Sequence, residues 1–179
     1  MRAALLLGGL ALLSGCGGIS SPFDWFSSSN RPAGAPAAAC PGATILHPLA
    51  QTATFAPGAQ RQPMGVAFYG ILNDVSVSCN AVPGGVHVAL DIIVIAERGP
   101  ASGSVESVDL PYFIAVTGPN QVVLSKRSFA VRIAIPANKP RAGVTDHVEE
   151  TIPAGALGIV VGFQQAPDVV DFYKHFRGR

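Results

Sequence analysis

From Val66 onward the hydrophobic positions recur mostly at every second residue, the period of a strand with one buried face. Val66, Phe68 and Leu72 keep one phase, while Val75, Val77 and Cys79 keep the opposite one. The switch at Asn73-Asp74 predicts a β-bulge or a bend between two sheets. A turn over Asn80–Gly85 leads into Val86, Val88, Leu90, Ile92 and Val94. Ile93 and Ile95 point the other way, so this strand is expected to be central and covered on both faces near its end. The Gly/Ser loop Gly99–Ser104 precedes a strand over Leu110–Thr117, and Gly118-Pro119-Asn120 turns the chain into Val122–Ile135, with a phase break near Lys126-Arg127. Val144–Ile152, Leu157–Phe163 and a weaker segment at Thr52–Phe55 complete about seven strands at sandwich-like spacing. No long helical pattern separates them, which argues against βαβ units. The expectation is an all-β fold, a single antiparallel β-sandwich of the immunoglobulin or fibronectin kind. Pro111 ahead of Tyr112-Phe113 suits an edge position, because proline has no N–H for the ladder, and those two aromatics are expected in the core.

Both ends depart from this period. Val169, Phe172, Tyr173 and Phe176 fall at i, i+3, i+4 and i+7 after Pro167-Asp168, which predicts a short amphipathic C-terminal helix. It either packs over an open end or edge of the sandwich or lies on a membrane. From Gly17 to Ala39 no hydrophobic period runs, and 16 of the 23 residues are Ser, Ala, Pro or Gly, so the segment is a flexible linker of roughly 25–30 Å. Inside it, Phe23, Trp25 and Phe26 are membrane-proximal aromatics that suit a headgroup region, docking on the chain's own domain, or a partner.

Composition narrows the function classes. Charged residues make up 13% of the chain against about 25% in typical domains, and 12 basic side chains balance 11 acidic ones. That leaves no electrostatic footprint for nucleic acid or for an anionic surface. No apolar run reaches the 18 residues of a spanning helix. Arg2 followed by the 11 apolar or small residues Ala3–Leu13 has the form of an export signal.

Leu13-Ser14-Gly15-Cys16 directly after that stretch resembles the lipobox of bacterial lipoproteins, an aliphatic residue, two small ones and Cys. The resemblance implies cleavage after residue 15 and a diacylated Cys16, usually acylated on its new amino group as well. Two or three chains give stable anchoring at about 0.8 kcal/mol per buried CH₂, where one is marginal. An ordinary secretory signal containing a cysteine is the alternative. Gly17 stands where an Asp retains enteric lipoproteins in the inner membrane, which favours the outer membrane. The layout is then a signal peptide at 1–15, lipidated Cys16 and linker at 16–39, and the domain at 40–179.

With Cys16 assigned to lipid, Cys40 and Cys79 remain, and two cysteines in an exported chain predict one disulfide. It closes a loop of about 40 residues, for which chain entropy suggests a contribution of about 4 kcal/mol. Motifs of hydrolases, dinucleotide sites, phosphate loops and zinc proteases are absent, so no catalytic residue is assigned. Four residues are candidates for binding. On a strand His147 and Glu149 share one face while Asp146 and Glu150 share the other. His147 with Glu149 supplies two metal ligands and no visible third, so no metal site is assigned, and a charged strand edge explains the same residues. Glu97 and Arg98 leave a strand at Gly99-Pro100; the pair suits a ligand carboxylate or phosphate, or it holds the loop through its own backbone.

Cys40-Pro41, Val77-Ser78-Cys79, Ala96-Glu97-Arg98-Gly99-Pro100, Pro111 to Thr117, Thr151-Ile152-Pro153 and Val161-Gly162-Phe163-Gln164 together resemble a family of small, uncharacterised alphaproteobacterial lipoproteins, over about Cys40 to Gln165. The resemblance implies a compartment and a one-domain layout, and it assigns no activity. Members usually carry Leu where this chain has Gln165. The expectation is a lipid-anchored envelope protein facing the periplasm from the outer membrane. It would be a non-enzymatic interaction or structural module with an envelope protein partner, and would need no cofactor beyond the acyl lipid on Cys16. The alternative is a periplasmic domain for a small ligand or metal using Glu97, Arg98 and His147 or His87; an enzyme is the third reading.

Overall fold

In a computed structural model of the chain, residues 40–176 are described. The signal segment, Cys16, the linker and Phe23, Trp25 and Phe26 lie outside them. The strands are β1 (Gly42–Ile45), β2 (Gln51–Phe55), β3 (Val66–Val82), β4 (Gly85–Arg98), β5 (Ser107–Thr117), β6 (Val123–Ala134), β7 (Arg141–Pro153) and β8 (Gly158–Phe163), followed by helix α1 (Pro167–His175). They form two four-stranded sheets, ordered β1-β8-β5-β6 and β2-β3-β4-β7. The fold is an all-β sandwich with a short C-terminal helix. Every ladder is antiparallel except the β1–β8 pair, which is parallel. The additional strand β1 has four residues, in which Ala43 and Ile45 alone turn to the core, too short a run to betray it, and its partner lies at the far end of the sequence.

The phase switch at Asn73 is a bulge inside one continuous strand. Leu72 pairs with Val94 and Asp74 with Ile93, so Asn73 is the extra residue. It turns both Phe68–Leu72 and Val75–Cys79 toward the interior, which a strict period of two would forbid, while Val66, beyond a second irregularity at Ala67, faces the helix side with Ala53. In β6 the irregularity falls at Leu124, between Val123 opposite Thr117 and Ser125 opposite Val116, earlier than the phase break expected near Lys126. Strand β4 is central, between β3 and β7. Its inner side chains Val88, Leu90, Ile92 and Val94 are at most 1% exposed, whereas outward Ile93 is open to solvent, so cover on the second face stops short of it. Facing them from the other sheet are Leu110, Tyr112, Ile114, Ile133, Ile159, Val161 and Phe163. Each large apolar side chain withdrawn from water contributes about 1.5–3 kcal/mol, and this two-sided layer is the main stabilising term.

Pro111 lies within β5, which is central in its sheet rather than an edge. The Gln164 N–H donates to the Pro111 carbonyl, so the proline nitrogen faces the same side. There the β8 ladder ends, its last pair being Phe163 with Tyr112. The missing N–H leaves the Pro111–Gln164 pair with one hydrogen bond, at the point where the β8 ladder stops.

The open side, where edge strands β6 and β7 meet, is closed by polar and aromatic groups. The buried Tyr112 hydroxyl crosses from β5 to donate to Asp146 Oδ2 on β7 at 2.7 Å. Its ring stacks on Phe129 at 5.4 Å, and Arg127 lies over Phe129 while its guanidinium reaches Glu150 at 3.5 Å. Asp146 and Glu150 thus face the gap between the sheets, while His147 and Glu149 face outward. Burial first, and the Asp146 carboxylate second, hold the Tyr112 phenol well above its usual range. At the far end of β3, Cys79 forms the disulfide with Cys40 (Cα–Cα 5.7 Å) and pins the start of the domain to the β3–β4 hairpin.

Two substitutions test these ties. Cys40→Ala/Cys79→Ala should lower unfolding stability by about 2–4 kcal/mol in urea titrations, with the fold retained by circular dichroism. Tyr112→Phe should lower it by about 1–3 kcal/mol, because a half-buried carboxylate loses its donor.

Candidate binding groove

The outer face of the β2–β3–β4 meander is not polar throughout. Near the start of β3 and the end of β4 it carries Tyr69 and Ile71 beside Glu97. Helix α1 lies across β2 at this end, burying Val169 and Phe172; Phe172 packs with Ala53 and Val66. The Phe172 ring meets Phe55 edge-on at 5.2 Å. The helix is therefore docked on the sandwich by the face that the membrane-lying reading needed free. Arg61 fastens its first turn, with Nε 2.6 Å from Asp168 Oδ2 and the guanidinium over Phe55 at 4.6 Å. That hydrogen bond and charge hold the Asp168 carboxyl below the usual carboxylate range. The Gln165 side-chain amide donates to the Gln51 carbonyl on edge strand β2, so the residue that departs from the resembled pattern ties the helix approach to the sheet.

Helix α1, the turn His47–Leu49 and the outward residues of β3 and β4 enclose an open groove of about 1310 Å³. Tyr69, Ile71, Tyr173 and Phe176 give it an aromatic and aliphatic lining; Glu97 and Lys174 give it charge, and His47 an imidazole. Phe176 is 44% exposed, an aromatic ring standing in water at the mouth. Burial, with the neighbouring Tyr69 second, raises the Tyr173 phenol above its usual value, so at neutral pH it stays a neutral hydrogen-bond donor.

The four candidate residues occupy two separate places. Glu97 and Arg98 both line the groove. Glu97 lies 3.7 Å from Arg141 on the neighbouring strand. The Arg98 fork is engaged with backbone, Nη2 donating to the Ile135 carbonyl at 2.7 Å and Nη1 to that of Gly103 at 3.4 Å. Its guanidinium lies 5.7 Å from the Phe68 ring and holds the loops at this end together, leaving its buried Nε without a partner among the described residues. His147 and Glu149 stand on the outer face of β7, about 20 Å and about 26 Å along the sheet from Glu97 at some 3.3 Å per residue. His147 Nδ1 is 2.7 Å from Asp91 Oδ1, and Nε2 is 3.3 Å from Glu149 Oε1. His87 is 3.8 Å from the other Glu149 oxygen. Among the described residues no three His, Cys, Asp or Glu side chains are arranged to hold a metal ion.

Tyr69, Ile71 and Phe176 were not singled out as site residues from the chain's pattern. The available signal was Tyr69 and Ile71 falling in the polar phase of β3, where a solvated face would carry Ser or Asp, as it does at Asp74, Ser76 and Ser78.

No protein-family model matches the chain, and no curated protein does. Among solved structures it is similar to the crystal structure of a DUF1425 family member from Shewanella sp. pv-4, at 18% identity over 56% of this chain and 90% of that one, with a TM-score of 0.30.

The outer-face histidine has a checkable titration. Hydrogen bonds to Asp91, then Glu149, raise the His147 pKa above its ordinary 6.5. A raised folded value means stabilisation that is complete below the unfolded pKa and is lost as pH rises through the folded one. NMR titration should place the His147 midpoint above 6.5. Asp91→Asn should lower it more than Glu149→Gln does, and the small stability difference between wild type and Asp91→Asn should fade at alkaline pH.

Proposed function

We propose that the chain is a lipid-anchored envelope protein whose domain is a non-enzymatic interaction module, held through acylated Cys16 at the periplasmic face of the outer membrane and binding an envelope polypeptide in the groove beside α1. The observation that carries this reading is the groove. Half-buried aromatic and aliphatic side chains on sheet and helix, with Phe176 open to water and charged groups at the rim, are the anchors that protein interfaces use. At about 1310 Å³ it exceeds the 300–1,000 Å³ typical of small-ligand sites, which favours a polypeptide segment over a metabolite. The small-ligand reading uses the same groove, with Glu97 and Lys174 as its charged contacts.

The test is photo-crosslinking in cells making the full-length protein, with the crosslinking residue at Lys174 or Phe176 and, as control, at Arg132 on the other sheet. We expect a reproducible envelope-protein adduct from the two groove positions and none from Arg132, lost again when Ile71→Glu is added to a chain that still melts like the parent. Equal adducts from Arg132, or none from the groove with the protein abundant and folded, would overturn the proposal. A melting shift with a metal or metabolite would then support the ligand reading.

A further inference from the structure

At the end of the sandwich opposite the groove, four aliphatic side chains stand in water. Val122 and Val123 are each 57% exposed, Leu124 42% and Leu157 65%. Isolated exposed aliphatics are ordinary, whereas a contiguous group marks a surface that something covers. The β5–β6 and β7–β8 turns that carry the four are bonded to each other. The Leu157 N–H donates to the Thr117 carbonyl at 2.8 Å, and the Gly118 N–H to the Val122 carbonyl at 2.8 Å. A Cβ on Gly118 would stand 3.1 Å from Leu124, so the bare glycine is what lets that side chain lie against the turn. The patch is thus displayed on hydrogen-bonded backbone.

Two further observations say what covers it. Cys40 precedes Gly42 by two residues, and Gly42 pairs with Gly158, the neighbour of Leu157. Residues 1–39, with the lipobox, therefore join the domain beside this patch. The two turns and their flanks, Thr117–Arg127 and Pro153–Gly158, carry Lys126 and Arg127 and no acidic residue, and with Arg127 paired to Glu150 at 3.5 Å it is Lys126 that stands as the cation beside the patch. Aliphatic tips beside a lysine and without acidic residues suit a surface that rests in the headgroup layer of a bilayer, held there by apolar burial rather than by charge.

We propose that this double turn is a membrane-seating surface. Val122, Val123, Leu124 and Leu157 enter the headgroup–acyl boundary of the bilayer that holds Cys16, and the domain stands upright on it. The inference rests on the anchoring proposed above and adds an orientation. Twelve residues of β4 separate Gly85 at the seated end from Glu97 in the groove, about 40 Å at some 3.3 Å each, so the groove opens away from the membrane.

The test uses the full-length protein, purified with its own modification, in vesicles of phosphatidylethanolamine and phosphatidylglycerol containing brominated acyl chains. Trp25→Phe removes the native indole, and Leu157→Trp or Met64→Trp places one at the seated or the opposite end; both positions are well exposed, so the fold should be kept, as melting curves check. We expect bromolipid to quench the Leu157→Trp indole by at least about twofold and the Met64→Trp indole not at all. Adding Val122→Ser/Val123→Ser/Leu124→Ser to the former should abolish the quenching. Mass spectrometry of the N-terminal peptide reads the acylation of Cys16 separately. An acylated protein with neither indole quenched, or both equally, overturns the seating and leaves the anchor standing. An unacylated protein overturns the anchor, and quenching on added vesicles then decides the seating alone. Oligomerisation through the patch without quenching reassigns it to self-association and overturns the proposal.

Discussion

Because β3 and β4 remain paired from Val82 opposite Gly85 to Phe68 opposite Arg98, one ladder runs the whole length of the sandwich and sets where both ends stand. That pairing survives only because Asn73 is accommodated as a bulge. Without the extra residue, either Leu72 or Val75 would present its apolar neighbours to water, and half of the β3 core face would be lost. Strands β2 and β7 flank this hairpin, and the second sheet packs on the side chains that it turns inward. The bulge is therefore the constraint on which the shared core depends.

The two edges of the layer are closed by different chemistry. Where β6 and β7 meet, a buried tyrosine hydroxyl reaches a carboxylate and an arginine reaches a second one, so inward charges finish the edge without leaving a bare apolar seam. At the β2 edge, closure is by helix α1, whose aromatic face fills the space and whose first turn is fastened to Arg61. Only the helix leaves a concave surface behind it, because a nine-residue cylinder covers part of a wider twisted sheet. The groove follows from that mismatch of width.

Groove and aliphatic turns lie at opposite ends of the same ladder. A chain that joins the domain beside the turns and carries a lipid signal before them would hold the groove at its distal end. A lipid anchor alone would leave the orientation of the domain open, and the apolar turns would select one. The Cys40–Cys79 bridge then ties the point of attachment to the core hairpin rather than to a loose terminus.

The alternation of apolar residues was enough to determine the sandwich class, most of the strands, the phase switch at Asn73-Asp74 and the helix from Pro167, since each depends on short-range periodicity; the register of β3 on β4 decided that the switch is a bulge and not a bend between sheets, and the pairing of Cys40 with Cys79 followed from counting once Cys16 was set aside. Strand β1 and its parallel pairing were not legible, because four residues with two inward side chains are too short a pattern and acquire their partner only when the chain's other end arrives. Pro111 looked like an edge residue, and only the length of β8 decided that a central strand can carry it. Arg98 and Glu97 were adjacent in the chain, yet tertiary packing directed one fork into loop carbonyls and left the other side chain in the groove. Asp146 and His147 were separated by the pleat, as the alternation required, but that Asp146 would meet Tyr112 depended on two edges closing on each other. Patterns along the chain decide which face of a strand is apolar; which faces meet, and what remains open between them, is decided by contacts between residues far apart in sequence.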